Sequence, residues 1–367
     1  MKDTTKKLIQ KSTAFYHRYE KYYAIASFVA GFLWDSFTLT RIDRLSDNLI
    51  LLAYLVLIGA LIPLSHLARQ NDPAVPEVVI RYRRWLPVAV QFLFGGLFSS
   101  YVIFYFHSAA LSKDLLFVAL LFLLLVANEI LDQHVTNLKL ELLLYFLSLF
   151  AFFTFFLPVV FKVMSVWLFI VSGILSLSVC GGILYFLLRK DTSFRITTGY
   201  VLPIVVTWLV MNGLYFFNWI PPVPLSVKQT MIGHHIQRAD ADYLADYEPS
   251  PWYVFWQDYD SEFHFGDPDT LFCFVSVFAP TRLEEKIYHH WQVYDRRREQ
   301  WLTADRLGYR ITGGREGGYR GFTYKTHVRP GEWRVNVETE SGKILGRLHF
   351  RVVSANEQKI KLKRAVL

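Results

Sequence analysis

Between positions 288 and 324 the chain carries rings and guanidinium groups at close spacing: Tyr288, His290, Trp291, Tyr309, Arg315, Tyr319, Arg320, Phe322 and Tyr324. Flat rings stack on sugar faces, and arginine forks hold carboxylates or phosphates by paired hydrogen bonds. The chemistry expected of such a set is recognition of a glycan or another envelope polymer. The competing reading is packing, in which alternate aromatics fill a β core and glycines close turns. The stretch Gly313 to Gly321 offers backbone N–H groups that would suit an anion. A glycine-rich loop that does not join a strand to a helix is nevertheless weak support for a phosphate site.

Other candidate groups are ionisable. Asp258, Asp260, Glu262, Asp267 and Asp269 place oxygen ligands close together, as calcium would need, but the EF-hand glycine is missing. No complete metal spacing is present, and no metal or cofactor is expected. In the apolar stretches, Asp35 and His107 fall toward one set of helix ends. Glu129, Asp132 and Glu141 gather toward the other. Ionisable groups in lipid are costly, so these five are candidates for a proton relay or a carboxylate site. Solvated charges at the helix ends are the alternative. No nucleophile elbow, HExxH, Walker loop or triad occurs.

Two kinds of sequence must position these groups. Hydrophobic residues make up 53% and charged residues 19%, below the ~25% charge usual in soluble domains. Positions 1–219 carry 18 Lys/Arg and 12 Asp/Glu, whereas the shorter 220–367 carries 21 and 19. Disorder, collagen-like repeats, a disulfide scaffold and a single soluble enzyme domain are excluded by this split. Seven apolar stretches near 23–40, 49–68, 86–110, 115–132, 141–158, 166–188 and 201–219 predict a seven-span helical membrane bundle. A basic segment, 1–22, precedes it. The N-terminus and alternate loops hold 14 Lys/Arg against 4 in the others, which places the N-terminus in the cytoplasm. With seven crossings the C-terminal part lies outside, in the periplasm of a Gram-negative cell. Ser172, Ser176 and Cys180 recur every four residues, a small-residue stripe for helix packing or for a homo-oligomer.

After Pro221-Pro222 an acidic connector, 220–269, carries 2 basic and 9 acidic residues. From 270 the apolar period changes to two, predicting an all-β, sandwich-like soluble domain over 270–367. Leu271–Phe278 reads as a buried strand, Lys286–Tyr294 as an aromatic one, and Trp333–Thr339 with Ile344–Val353 as a hairpin. The net charge of +8 reads as membrane topology, since no nucleic-acid motif is present.

Four segments carry a resemblance: Val277–Arg282, Ile287–Trp291, Gly313–Gly321 and Arg329–Val335. In that order they resemble the C-terminal domain of bacterial inner-membrane proteins assigned to domain of unknown function family 2914, over about 270–353. The basic turn Arg296-Arg297-Arg298 is a departure from the family pattern. The resemblance implies a β fold and an envelope location, without an activity or site residues.

The expected function is a non-catalytic, multi-pass inner-membrane protein whose β-sandwich binds an envelope glycan or a protein partner. Its partners are the lipid bilayer and that ligand, with no nucleic acid. The alternative is a membrane enzyme or carrier for a lipid-linked or small substrate, using the carboxylate and histidine residues at the helix ends.

Overall fold

The structure, a computed structural model, describes residues 44–367 apart from 74, 109–111, 131–136, 192–194, 218, 240–241, 255–257, 267–269, 316 and 356–360, together with Leu33, Asp35 and Phe37. The apolar runs form helices α1 (Leu45–Arg69), α2 (Glu77–Arg81), α3 (Leu86–Ser108), α4 (Ser112–Ile130), α5 (Leu138–Phe161), α6 (Val166–Lys190) and α7 (Thr198–Phe216). Among the described residues five stretches are long and apolar enough to cross a membrane: Leu45–Arg69, Arg83–Phe106, Leu138–Phe161, Val166–Lys190 and Thr198–Phe216. The expected span at 115–132 is helical as far as Ile130, the last of its described residues, with a shorter apolar core at Phe117–Val126. The expected span at 23–40 lies outside the described residues except for Leu33, Asp35 and Phe37, which are helical.

Side-chain caps set two of the helix starts. Asn137 accepts from the Lys139 amide at 3.0 Å to begin α5, and Ser165 accepts from the Trp167 amide at 3.2 Å to begin α6. Inside the bundle, several hydroxyl groups bond to backbone carbonyls. Tyr101 and Tyr105 accordingly donate to the Ser148 and Ala151 carbonyls of α5, and Tyr145 donates to Leu55 of α1. The small-residue stripe of α6 is spent within the bundle: Ser172, Ser176 and Cys180 are buried, and Gly173 lies against Trp208 and Phe150.

Among the described residues eleven strands follow, β1 (Ser226–Gly233), β2 (His235–Ala239), β3 (Asp242–Tyr247), β4 (Glu262–Phe265), β5 (Leu271–Phe278), β6 (Glu284–Asp295), β7 (Gln300–Thr312), β8 (Tyr319–Lys325), β9 (Gly331–Thr339), β10 (Ile344–Ser354) and β11 (Lys363–Val366). They form three sheets, ordered β1-β5-β8, β4-β10-β9-β6-β7 and β11-β3-β2. The all-β region therefore begins earlier than the sequence suggests. Four strands arise from 220–269, the segment expected to be a connector. β1 pairs antiparallel with β5, β4 pairs parallel with β10, and β2 and β3 join β11.

This arrangement explains why Leu271–Phe278 is buried at every position but the half-buried Phe272. Cys273, Val275 and Val277 share a core with Ile287, Trp291 and Val335. From the other side of β5, Phe274 meets Tyr243 and Phe272 meets His235. The sheet β1-β5-β8 thus carries a layer on each face.

One end of the β region sits against the helices. Ser226 opposite Phe278 begins the β1–β5 register, and Phe278 packs into the core of the helical bundle. At this near end the β9–β10 turn inserts Lys343, whose ammonium lies 3.6 Å from the Tyr215 ring and donates to the Tyr215 carbonyl in the last turn of α7. A cation at a helix C-terminus meets the negative end of the dipole, and a partly buried one contributes up to ~2 kcal/mol. Replacing Lys343 by Met is expected to cost about 1–2 kcal/mol of docking. Limited proteolysis with proteinase K should then cut the 217–228 segment faster than in the native protein. Unchanged cutting would show that the turn contributes nothing to docking.

Candidate functional site

The five-stranded sheet has one face in the core and one outside. Ile287, Trp291 and Val293 of β6, Trp333, Val335 and Val337 of β9, and Leu348 and Phe350 of β10 point inward. Strict alternation therefore turns Tyr288, His290, Gln292, Arg334, Asn336, Glu338, Arg347 and His349 outward. The register decides which of these meet. Glu338 lies opposite Tyr288, Asn336 opposite both His290 and Arg347, Arg334 opposite both Gln292 and His349, and Arg306 opposite His290.

Beneath the surface a polar network ties the strands together. His290 Nδ1 donates to Glu338 Oε1 at 2.9 Å, which leaves Nε2 to accept from the Thr303 hydroxyl at 2.8 Å. Asn336 donates to Gln292 at 3.2 Å and Glu338 at 3.4 Å, and Gln292 also accepts from Arg334 at 2.7 Å. Arg347 donates to the Asn336 side-chain oxygen at 2.7 Å. Gln292, Asn336 and Glu338 are buried because rings and guanidinium groups lie over them. Arg306 covers Tyr288 with its guanidinium 3.7 Å from the ring centroid, and Arg334 covers Trp301 at 4.3 Å. His349 meets the edge of Trp301 at 5.5 Å.

Charge on this face is unbalanced. Three guanidinium groups, those of Arg306, Arg334 and Arg347, surround one carboxylate, that of Glu338. Burial and the neighbouring Arg347 pull the Arg334 pKa below its usual range, with Glu338 acting the other way. Burial does the same to Arg347. An anion arriving at this face would relieve that repulsion. The network locks each side chain beforehand, so little rotamer entropy remains to be lost on binding. The arrangement can bind and orient an anion.

The sequence candidates separate into distinct places. Tyr288 and His290 belong to this face. Trp291 does not: it is fully buried in the core, donating from Nε1 to the Thr323 hydroxyl at 3.0 Å. Tyr309 packs between the sheets, its hydroxyl 3.0 Å from His289 Nε2 and its ring 6.5 Å from that of Tyr319. Arg315 is exposed over Tyr319. Arg320 binds Asp242 at 2.8 Å and the Leu367 carbonyl at 3.0 Å, holding β8 to the third sheet. Tyr324 is exposed beside Phe272 on that sheet's side. The glycine stretch spends its amides on backbone: Gly313, Gly314 and Gly318 donate to Leu283, Ala279 and Arg315. A side chain at Gly313 would overlap the Pro280 carbonyl. These glycines therefore close a tight turn, the reading weighed against an anion nest.

Among the helix-end candidates, Glu141 is buried and accepts from Arg69 at 3.4 Å. His66 meets Asp191 at 3.3 Å at the same end of the bundle. Asp35 lies beside Ser99 of α3, apart from Glu141. Asp132 lies outside the described residues, and the side chains of His107 and Glu129 do as well. In the acidic run, Asp260 caps the Glu262 amide at 3.1 Å. Asp267 and Asp269 lie outside the described residues. Among the described residues no group of three His, Cys, Asp or Glu side chains is placed to hold a metal ion.

Sequence reasoning missed two features. Arg334 and Arg347 follow as outward positions from their two-residue period with the core residues, but Arg306 and Trp301, five residues apart on β7, come to one face only through the bulge in that strand, which has no local signal. Trp252 and Tyr253 project from the loop after β3, Trp252 being 94% exposed. Glu248 pins the base of that loop by meeting His234 at 2.9 Å and His264 at 2.6 Å. Burial pushes the Glu248 carboxyl up, but these hydrogen bonds outweigh it and hold it below the ordinary carboxylate range.

Residues 284–352 match the family model described as Protein of unknown function (DUF2914). The DUF2914 segment runs from the start of β6 into β10, so it contains every residue of the arginine–aromatic face and leaves β1 to β5 and β11 outside. No curated protein matches the chain. Among solved structures, a β-glucosidase from Listeria innocua in complex with gluconolactone shares 13% identity over 30% of this chain and 16% of that one, with a TM-score of 0.19. The Pseudomonas fluorescens alkylpurine DNA glycosylase AlkC, bound to DNA containing an abasic site analogue, shares 11% identity over 86% of this chain and 99% of that one, with a TM-score of 0.22. At such scores neither describes the fold of the DUF2914 region.

Proposed function

We propose that this chain crosses a bacterial inner membrane seven times and holds its β region outside as a sandwich-like module that binds an anionic envelope glycan. The observation that carries the reading is the pre-organised set Arg306, Arg334 and Arg347, layered with Tyr288 and Trp301 on one outward sheet face. Guanidinium groups supply charge-assisted hydrogen bonds and the rings supply stacking area, the combination an acidic sugar chain requires. The orientation rests on the basic loops and on the shared location of His66, Arg69, Arg189 and Lys190 in the last turns of α1 and α6.

The test uses the full chain in lipid nanodiscs with polygalacturonate as the acidic polymer and dextran as the neutral one. Polygalacturonate is expected to bind and dextran not. The double variant Arg334→Glu with Arg347→Glu should weaken binding at least ~10-fold, since each charge-assisted hydrogen bond contributes about 1.5–3 kcal/mol. Equal binding of both polymers, or native affinity in the double variant with an unchanged melting temperature, would overturn the reading.

A further inference from the structure

A second concave surface lies at the end of the β region away from the helices. β7 and β8 are terminal strands of their sheets, so each has one unpaired edge. Toward the helices the two edges close, with the Tyr309 ring against Gly321. Toward the far end they part, spanned by the Lys325–Asp305 ion pair. Beyond that pair a cleft of about 640 Å³ opens. Its apolar interior includes Val293, Leu302 and Trp333, while Lys325, His327 and Arg329 are its basic residues. Among the described residues no carboxylate lines it, and the adjacent Asp305 is already engaged by Lys325. The register shifts in β7 between the partners of Trp291 and Gln292, a bulge that bends the strand at this point.

We propose that this cleft binds an extended segment of a partner protein that carries an apolar side chain flanked by acidic residues. Unpaired strand edges offer N–H and C=O groups to an added strand, which supplies affinity without sequence demand. Alternate side chains of such a strand point the same way, so one apolar side chain enters the cleft. Its floor belongs to the domain core, where Trp333 is held by donation to the Arg329 carbonyl at 2.9 Å. The acidic flanks meet His327 and Arg329. This site is separate from the arginine–aromatic face and lies on the inner side of the same sheet: Val293 and Trp333 line it next to the outward Gln292 and Arg334, and Thr303 bonds His290 and also lines the cleft.

The full chain in nanodiscs is titrated with a fluorescein-labelled nonapeptide alternating Val and Phe with Asp and Glu, and with the same peptide carrying Lys in place of the acids. The acidic peptide is expected to bind and the basic one to bind at least tenfold more weakly. Two variants address the cleft. Arg329→Glu removes an exposed cation, and Ala304→Phe fills the space; each is expected to weaken the acidic peptide at least tenfold. Polygalacturonate binding should stay unchanged in both, which separates this site from the sheet face and reports that the fold is intact. If Ala304→Phe loses that control, Arg329→Glu decides alone. Native peptide affinity in Arg329→Glu, or equal binding of the two peptides, would overturn the proposal.

Discussion

Replacing Arg69 by Met is expected to destabilise the helical bundle by about 1–3 kcal/mol, the usual cost of leaving a buried polar group without its hydrogen-bond partner. Glu141 stands in the first turn of α5, 2% exposed, and Arg69 Nη2 in the last turn of α1 reaches its carboxylate at 3.4 Å. Ser65 steadies the same guanidinium at 3.1 Å. Removing the cation leaves a carboxylate enclosed by apolar helices. Adding Glu141→Gln to Arg69→Met should recover most of the loss, because a neutral amide carries a far smaller desolvation penalty. Thermal unfolding of the two variants in the same detergent measures the difference. A single variant as stable as the double would show that the pair is solvated.

The β region is expected to lose stability as pH falls through the histidine range, because of His289. This side chain is fully buried between β6, β7 and β8, with Nδ1 2.9 Å from the Thr323 hydroxyl and Nε2 3.0 Å from the Tyr309 hydroxyl. Burial pulls its pKa from 6.5 down to about 3. The facing groups, Tyr309 and Cys273, are themselves pushed up by burial and stay neutral. The folded state therefore keeps the imidazole uncharged, whereas the unfolded chain takes up a proton below about pH 6.5. The contribution is fully present above that value and is lost progressively toward pH 3. At ~1.4 kcal/mol per unit, the total is on the order of 4–5 kcal/mol. Denaturant unfolding of the native protein and His289→Gln between pH 3.5 and 7.5 checks this. The difference between the two should widen with rising pH, and a constant difference would refute it.

Much of the sheet face was legible beforehand. The alternation along Trp333–Thr339 already assigns Arg334, Asn336 and Glu338 to one side, and it bears out in the structure. The same rule, applied to β6, separates Tyr288 and His290 from Trp291, an odd number of residues away from Tyr288 and adjacent to His290. Ring chemistry suggested grouping them, but the pleat forbids it. The strands of 226–247 were harder to see. β2 and β3 are short and rich in polar residues, and β3 is completed by β11, more than a hundred positions later. A strand whose buried face is supplied from so far away carries little local signal.

Composition and periodicity by themselves determined that apolar helices precede an all-β region, because burial in lipid or in a sheet imposes its period on neighbouring residues. They determined the outward parity of Arg334 and Arg347 for the same reason. Only the tertiary structure decided that Arg69 meets Glu141, that Arg306 covers Tyr288, that Trp291 belongs to the core, and that the edges of β7 and β8 part into a cleft. Each of these is a meeting of residues far apart in the chain. Such meetings follow from strand register and helix packing, which depend on the sum of many contacts across the molecule.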